Sequence, residues 1–118
     1  MTTLVIGVGA FGFSMLQYLA RLHPEREFLG YEKNVGTSDI LHKERKHPYF
    51  FPGIILEKNI RIVSDIEEIL PLVDILIIAI PNQKIQPLFQ QITSYIKKGV
   101  CIVNLSKGID NTTLSPSE

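Results

Sequence analysis

Three glycines near the amino terminus, in Gly7-Val8-Gly9-Ala10-Phe11-Gly12, follow the pattern GxGxxG. A β-branched apolar run precedes them and a helical pattern follows, and in that setting each glycine has a mechanical task. Gly7 allows a tight turn, Gly9 lets the backbone approach a pyrophosphate, and Gly12 permits close packing of helix on strand. Amides at the amino end of the helix, aided by its dipole, then favour phosphate. Twenty residues past Gly12, Glu32 is placed to accept hydrogen bonds from ribose hydroxyls, whereas Lys33 beside it suits a 2′-phosphate. These neighbours pull in opposite directions, so NAD and NADP both stay open, with the carboxylate tipping the reading slightly toward NAD. No GKS or GKT follows the glycines, which argues against an ATPase or GTPase.

Two further segments belong to the same chemistry. Pro81-Asn82 ends one apolar run and Ser106-Lys107-Gly108 follows another. If the runs are parallel strands, both segments project from the carboxyl edge of the sheet, where ligands bind in open α/β folds. Taken alone, Lys107 before a glycine reads as an ordinary surface turn; the gathering of several such segments at one edge is what makes it a candidate ligand contact.

The elements that must position these residues alternate regularly. Thr3 to Ile6, Glu27 to Glu32, Ile60 to Val63, Asp74 to Ile80 and Val100 to Leu105 read as strands. Phe11 to Leu22 and Gln83 to Lys97 read as helices, the second with Ile85, Leu88, Phe89, Ile92 and Ile96 on one side. Thr37 to Lys46 allows another helix, and Tyr49-Phe50-Phe51-Pro52-Gly53 is a loop. Ser64-Asp65-Ile66-Glu67 reads as a capping box with Ser64 as the cap, opening a helix that stops near Pro71. Repeated β-α-β order with strands apolar on both faces predicts a Rossmann-type doubly wound parallel sheet. Its expected strand order is 3-2-1-4-5, with helices on both faces.

Composition narrows the partners. Twelve basic residues balance twelve acidic ones, so no global field draws the chain to nucleic acid or to an anionic membrane. The apolar stretch Leu4 to Leu22 lacks a preceding cation and is broken by glycines, Gln17 and Arg21, which speaks against a signal or membrane segment. Cys101 is the single cysteine, expected as a buried core thiol in a reducing, cytoplasmic setting. No CxxC or histidine cluster offers a metal cage.

Taken in order, these segments resemble the N-terminal domain of NAD(P)-dependent glycerol-3-phosphate dehydrogenase. The likeness rests on the glycine loop with Phe11 before its third glycine and on the loop Tyr49-Phe50-Phe51-Pro52-Gly53. It continues through the helix start Ser64-Asp65, the aspartate-led strand Asp74 to Pro81, and the turn Ser106-Lys107-Gly108-Ile109. The resemblance implies that Ala10 and Phe11 contact the cofactor pyrophosphate, Glu32 and Lys33 the adenosine ribose, and Pro81-Asn82 the cofactor along its length. Lys107 would reach both cofactor and substrate as the catalytic contact, where a fixed cation suits a phosphate or a carbonyl gaining negative charge. The implied chemistry is hydride exchange between a nicotinamide and dihydroxyacetone phosphate or glycerol 3-phosphate, and the implied assembly a homodimer. Residues 1 to 118 are then expected to be one dinucleotide-binding domain, truncated and inactive alone. In the resembling family a helical substrate domain supplies the principal catalytic lysine. Two alternatives remain: the nucleotide domain of another hydroxyacid dehydrogenase or ketopantoate-type reductase, and a non-catalytic dinucleotide-binding module.

Overall fold

The strands are short and pair only in parallel. In a computed structural model that describes residues 1 to 105, β1 (Thr3–Ile6) lies between β2 (Phe28–Tyr31) and β4 (Ile75–Ile78). β3 (Ile60–Ile62) and β5 (Cys101–Asn104) form the two edges, giving the order β3-β2-β1-β4-β5. This is the expected order. Helices α1 (Ala10–Leu22) and α2 (Val35–Glu44), with the short α3 (Ile66–Ile69) and α4 (Ile85–Ile92), complete the fold.

Alternation along each strand splits the interior into two layers. Val5 and Ile77 point to one face, where they meet Phe13, Leu16 and Ala20 of α1 and Leu41 of α2. Leu4, Ile6, Leu76 and Ile78 point to the other, against Ile66, Leu70, Val73 and Ile92. Because side chains alternate faces with period 2, a strand buried on both sides must be apolar at every position. That requirement explains the unbroken run Ile75-Leu76-Ile77-Ile78.

Local chemistry sets several boundaries differently from expectation. Asp65, not Ser64, caps α3, accepting the amides of Glu67 and Glu68, and the element tightens into a 3-10 turn at Leu70–Leu72 where Pro71 removes a donor. The helix expected from Gln83 to Lys97 begins as a 3-10 turn, Asn82–Lys84, and its α-helical part is only Ile85–Ile92. Pro87 is tolerated because it lies in the first turn, where its missing amide has no partner to lose. The apolar set Ile85, Leu88, Phe89, Ile92 and Ile96 still packs on the second layer.

Cys101 corrects the expectation of a buried thiol: it is exposed. The reason is topological. β5 pairs only with β4 at the sheet edge, and α1 and α2 cover β1 to β3 rather than this end. All four β5 residues are exposed. No helix among the described residues is long and apolar enough to cross a membrane.

Candidate functional site

Since all strands are parallel, their carboxyl ends share one edge, and the turns after β1, β2 and β4 meet there. Gly7 takes a φ of +98°, a region L side chains rarely adopt, and its amide donates to the Tyr31 carbonyl at 2.8 Å. A Cβ on Gly7 would sit 2.5 Å from the Ala79 carbonyl oxygen, so the turn is pressed between the ends of β2 and β4. A Cβ on Gly12 would lie 1.8 Å from the Gly7 carbonyl oxygen. Only glycine lets α1 start so close to its own turn. Gly9 differs: a Cβ there would meet nothing within 4 Å. Its side of the turn faces open space.

The amino end of α1 is therefore presented rather than covered. The first intrahelical bond runs from the Phe13 amide to the Gly9 carbonyl, so the amides of Ala10, Phe11 and Gly12 precede the ladder. No side chain caps this end, the first turn holds no acid, and Arg21 stands in the last turn. The dipole and the row of donors make this end electropositive, which suits an anion.

Glu32 lies against the same turn. Its Oε1 accepts the Val8 amide at 3.0 Å and its Oε2 accepts the Asn34 amide at 2.9 Å. Each carboxylate oxygen has a further lone pair able to accept from a hydroxyl. Lys33 is exposed beside it. Burial, then the Glu32 charge, holds the Tyr31 phenol above its ordinary 10.0, so it remains a neutral neighbour at physiological pH.

Pro81 and Asn82 follow β4 at this edge, where Pro81 precedes the 3-10 turn and its carbonyl accepts from the Lys84 amide at 2.9 Å. Gly7, Gly9, Ala10, Phe11, Gly12, Glu32, Lys33, Pro81 and Asn82 thus share one rim of the sheet. Ser106, Lys107 and Gly108 lie outside the described residues.

A loop from Arg45 to Asn59 forms the wall beside the glycine turn. Phe51-Pro52-Gly53-Ile54 is a turn closed by the Ile54 amide on the Phe51 carbonyl at 3.0 Å, with Pro52 setting its entry and Gly53 at φ +80°. The Phe51 ring stacks on Phe13 at 5.3 Å. Buried Gln17 of α1 donates to the Ile55 carbonyl and accepts the Glu57 amide, which fastens the loop to the helix.

Residues 2–118 match the family described as NAD-dependent glycerol-3-phosphate dehydrogenase N-terminus. The chain belongs to this family. Among curated relatives, glycerol-3-phosphate dehydrogenase, NAD(P)+, of Myxococcus xanthus (strain DK1622) is 29% identical over 110 residues, covering 93% of this chain and 32% of that protein. The protein of the same name from Acinetobacter baumannii (strain SDF) is 31% identical over 111 residues, covering 94% of this chain and 30% of its own length. The chain therefore spans about a third of the length of these relatives. The crystal structure of glycerol-3-phosphate dehydrogenase from Coxiella burnetii shares the fold, with a TM-score of 0.80 at 16% identity, over 87% of this chain and 31% of that one.

One residue beside the glycine turn, His47, carries a role that its sequence setting did not assign. His47 is buried, and its Nδ1 accepts the amides of Tyr49 at 3.0 Å and Phe50 at 3.3 Å, while the ring faces the Val8 carbonyl. The available signal was a histidine two residues before an aromatic run, where a side-chain acceptor can gather the next two amides as an Asx side chain does.

Proposed function

We propose that this chain is the dinucleotide-binding domain of an NAD(P)-dependent glycerol-3-phosphate dehydrogenase. The full enzyme would interconvert glycerol 3-phosphate and dihydroxyacetone phosphate. The observation that carries this reading is the uncapped amino end of α1 with Glu32 beside it. The bound cofactor supplies the hydride chemistry. The chain's own residues bind and orient it: the amides of Ala10 and Phe11 hold the pyrophosphate, with Gly7, Gly9 and Gly12 shaping the turn. Glu32 accepts from the ribose, Lys33 flanks it, and Pro81-Asn82 line the cofactor's path. Lys107 contacts cofactor and substrate.

Residues 1 to 118 act in this reading as one domain, and the groups completing the catalytic site come from the remaining length of such an enzyme. A phosphorylated small-molecule substrate, a homodimeric assembly and a cytoplasmic location belong to the same reading and rest on the family membership.

Calorimetric titration of the purified chain with NADH and, separately, NADPH tests it. Saturable binding is expected, lost in Gly9→Val: a Cβ there meets nothing within 4 Å, and the branched side chain would extend into the open space before the amides. Absence of binding to either nucleotide at millimolar concentration, by a folded chain, would overturn it.

A further inference from the structure

Val8 meets side chains distant in sequence at both of its backbone polar groups. Glu32 takes its amide at 3.0 Å, and its carbonyl faces the imidazole of His47, favouring a proton there. With Nδ1 of His47 accepting two amides, the neutral ring carries its proton on Nε2. The same ring packs edge-on to Phe13, with centroids 6.1 Å apart, and lies 4.7 Å from the ring of Phe50. It stands between the glycine turn and the aromatic loop, hydrogen-bonded to the loop and packed against the turn and the start of α1.

We propose that His47 is a positioning residue of the dinucleotide site, a latch whose neutral form fixes the glycine turn to the aromatic loop and whose protonation releases that loop. The inference rests on the dinucleotide reading above. A proton on Nδ1 removes the only acceptor the ring offers to the Tyr49 and Phe50 amides, so the loop and the ring cannot keep their arrangement. The wall beside the glycine turn then loosens, and dinucleotide affinity falls.

The groups around the ring set when this occurs. Glu32 faces it from the end of β2 and favours the charged form. Glu44 and Lys46, paired at 3.9 Å, share its surface hollow from the carboxyl end of α2 and largely offset each other. Phe13, Tyr49 and Phe50 present uncharged rings. Burial is the largest influence and holds the imidazole below its ordinary 6.5, against the opposing pull of the Val8 carbonyl and Glu32. The latch is therefore closed at neutral pH and opens on acidification.

The experiment combines NADH titration of the purified chain across about pH 5 to 8 with amide NMR of the ligand-free chain. Wild type should bind about fivefold to tenfold more weakly at the acid end, the scale of one or two lost net hydrogen bonds. The Tyr49 and Phe50 amides should lose exchange protection over the same pH range as His47 protonates. His47→Asn keeps an acceptor for the two amides but not the reach to Val8, so it should bind several-fold more weakly at the alkaline end with a flat pH profile. His47→Gln keeps a donor that reaches toward Val8 and should recover part of that affinity, again without the inflection. Wild-type binding with no inflection, an inflection that survives in His47→Asn, or an Nδ1-protonated neutral ring would overturn the proposal alone. Failure of wild type to bind either NADH or NADPH at every pH would overturn the dinucleotide reading and the proposal with it; where only NADPH binds, the same titration is read with NADPH.

Discussion

The carboxylate of Glu32 reaches across 24 residues of sequence to accept the amide of Val8 at 3.0 Å. The candidate ribose ligand is thereby also a structural support of the glycine turn. Its second oxygen, on the Asn34 amide, ties the start of α2 into the same site. Specificity and turn geometry are therefore not independent here. Glu32→Ala should destabilise the chain by about 1–3 kcal/mol, the cost of leaving a buried donor unpaired, and weaken NADH and NADPH alike. Glu32→Gln keeps an acceptor for Val8 while removing the negative charge, so its affinity ratio should move toward NADPH. Urea unfolding and paired nucleotide titrations measure both. A Glu32→Ala chain as stable as wild type would refute the supporting role.

The last two glycines of the motif, Gly9 and Gly12, should respond to substitution very differently. In an ordinary helix, Gly→Ala gains up to about 1 kcal/mol. At Gly12 the new Cβ would lie 1.8 Å from the Gly7 carbonyl oxygen, which is backbone and cannot swing aside. Sterics win, and Gly12→Ala should cost about 3 kcal/mol or prevent folding. Gly9→Val should cost less, about 1 kcal/mol, because its Cβ meets nothing and only the N-cap preference for glycine is lost. Denaturant midpoints decide, and a stabilised Gly12→Ala chain would mean that α1 does not approach its turn so closely.

Gln17 is the polar residue on the buried face of α1, and its amide satisfies the Ile55 carbonyl at 3.1 Å and the Glu57 amide at 2.9 Å. Replacement by leucine adds apolar burial but strands both partners. The unpaired groups should dominate, giving a loss of about 1–3 kcal/mol and faster hydrogen exchange at Glu57. Unchanged exchange at that amide would count against the fastening role.

Asp74 opens β4 at the opposite edge of the sheet, accepting the Thr2 amide at 2.7 Å and pairing with Lys97. The Lys97 hydrogen bond, then that of Thr2, holds its carboxyl below the ordinary 3.8. A depressed carboxylate stabilises the fold above its unfolded value, and the contribution is lost as pH falls through the folded value. Asp74→Asn should therefore melt at a lower temperature than wild type near neutral pH, and the gap should close as acidification carries the carboxyl through its lowered folded-state value, below the ordinary 3.8. A gap that stayed constant with pH would show that the ionised form contributes nothing.

Much of this protein was determined by the sequence alone. Uninterrupted apolar runs such as Ile75 to Ile78 require burial on both faces, which forces a parallel sheet under two helical layers, and the glycine spacing sets where the chain turns into α1. Glu32 is legible as a strand-end acid, and Pro52-Gly53 as a turn, because those signals are local. Tertiary structure decided what depends on neighbours far along the chain. Asp65 displaced Ser64 as a cap because cap geometry is settled by backbone angles that composition does not encode. Cys101 became exposed because an apolar run at a sheet edge looks the same in sequence as one in the middle. The roles of His47 and Gln17 arise only when the loop of residues 45 to 59 folds back on α1. A hydrogen bond between distant residues leaves no periodic trace in the chain that makes it.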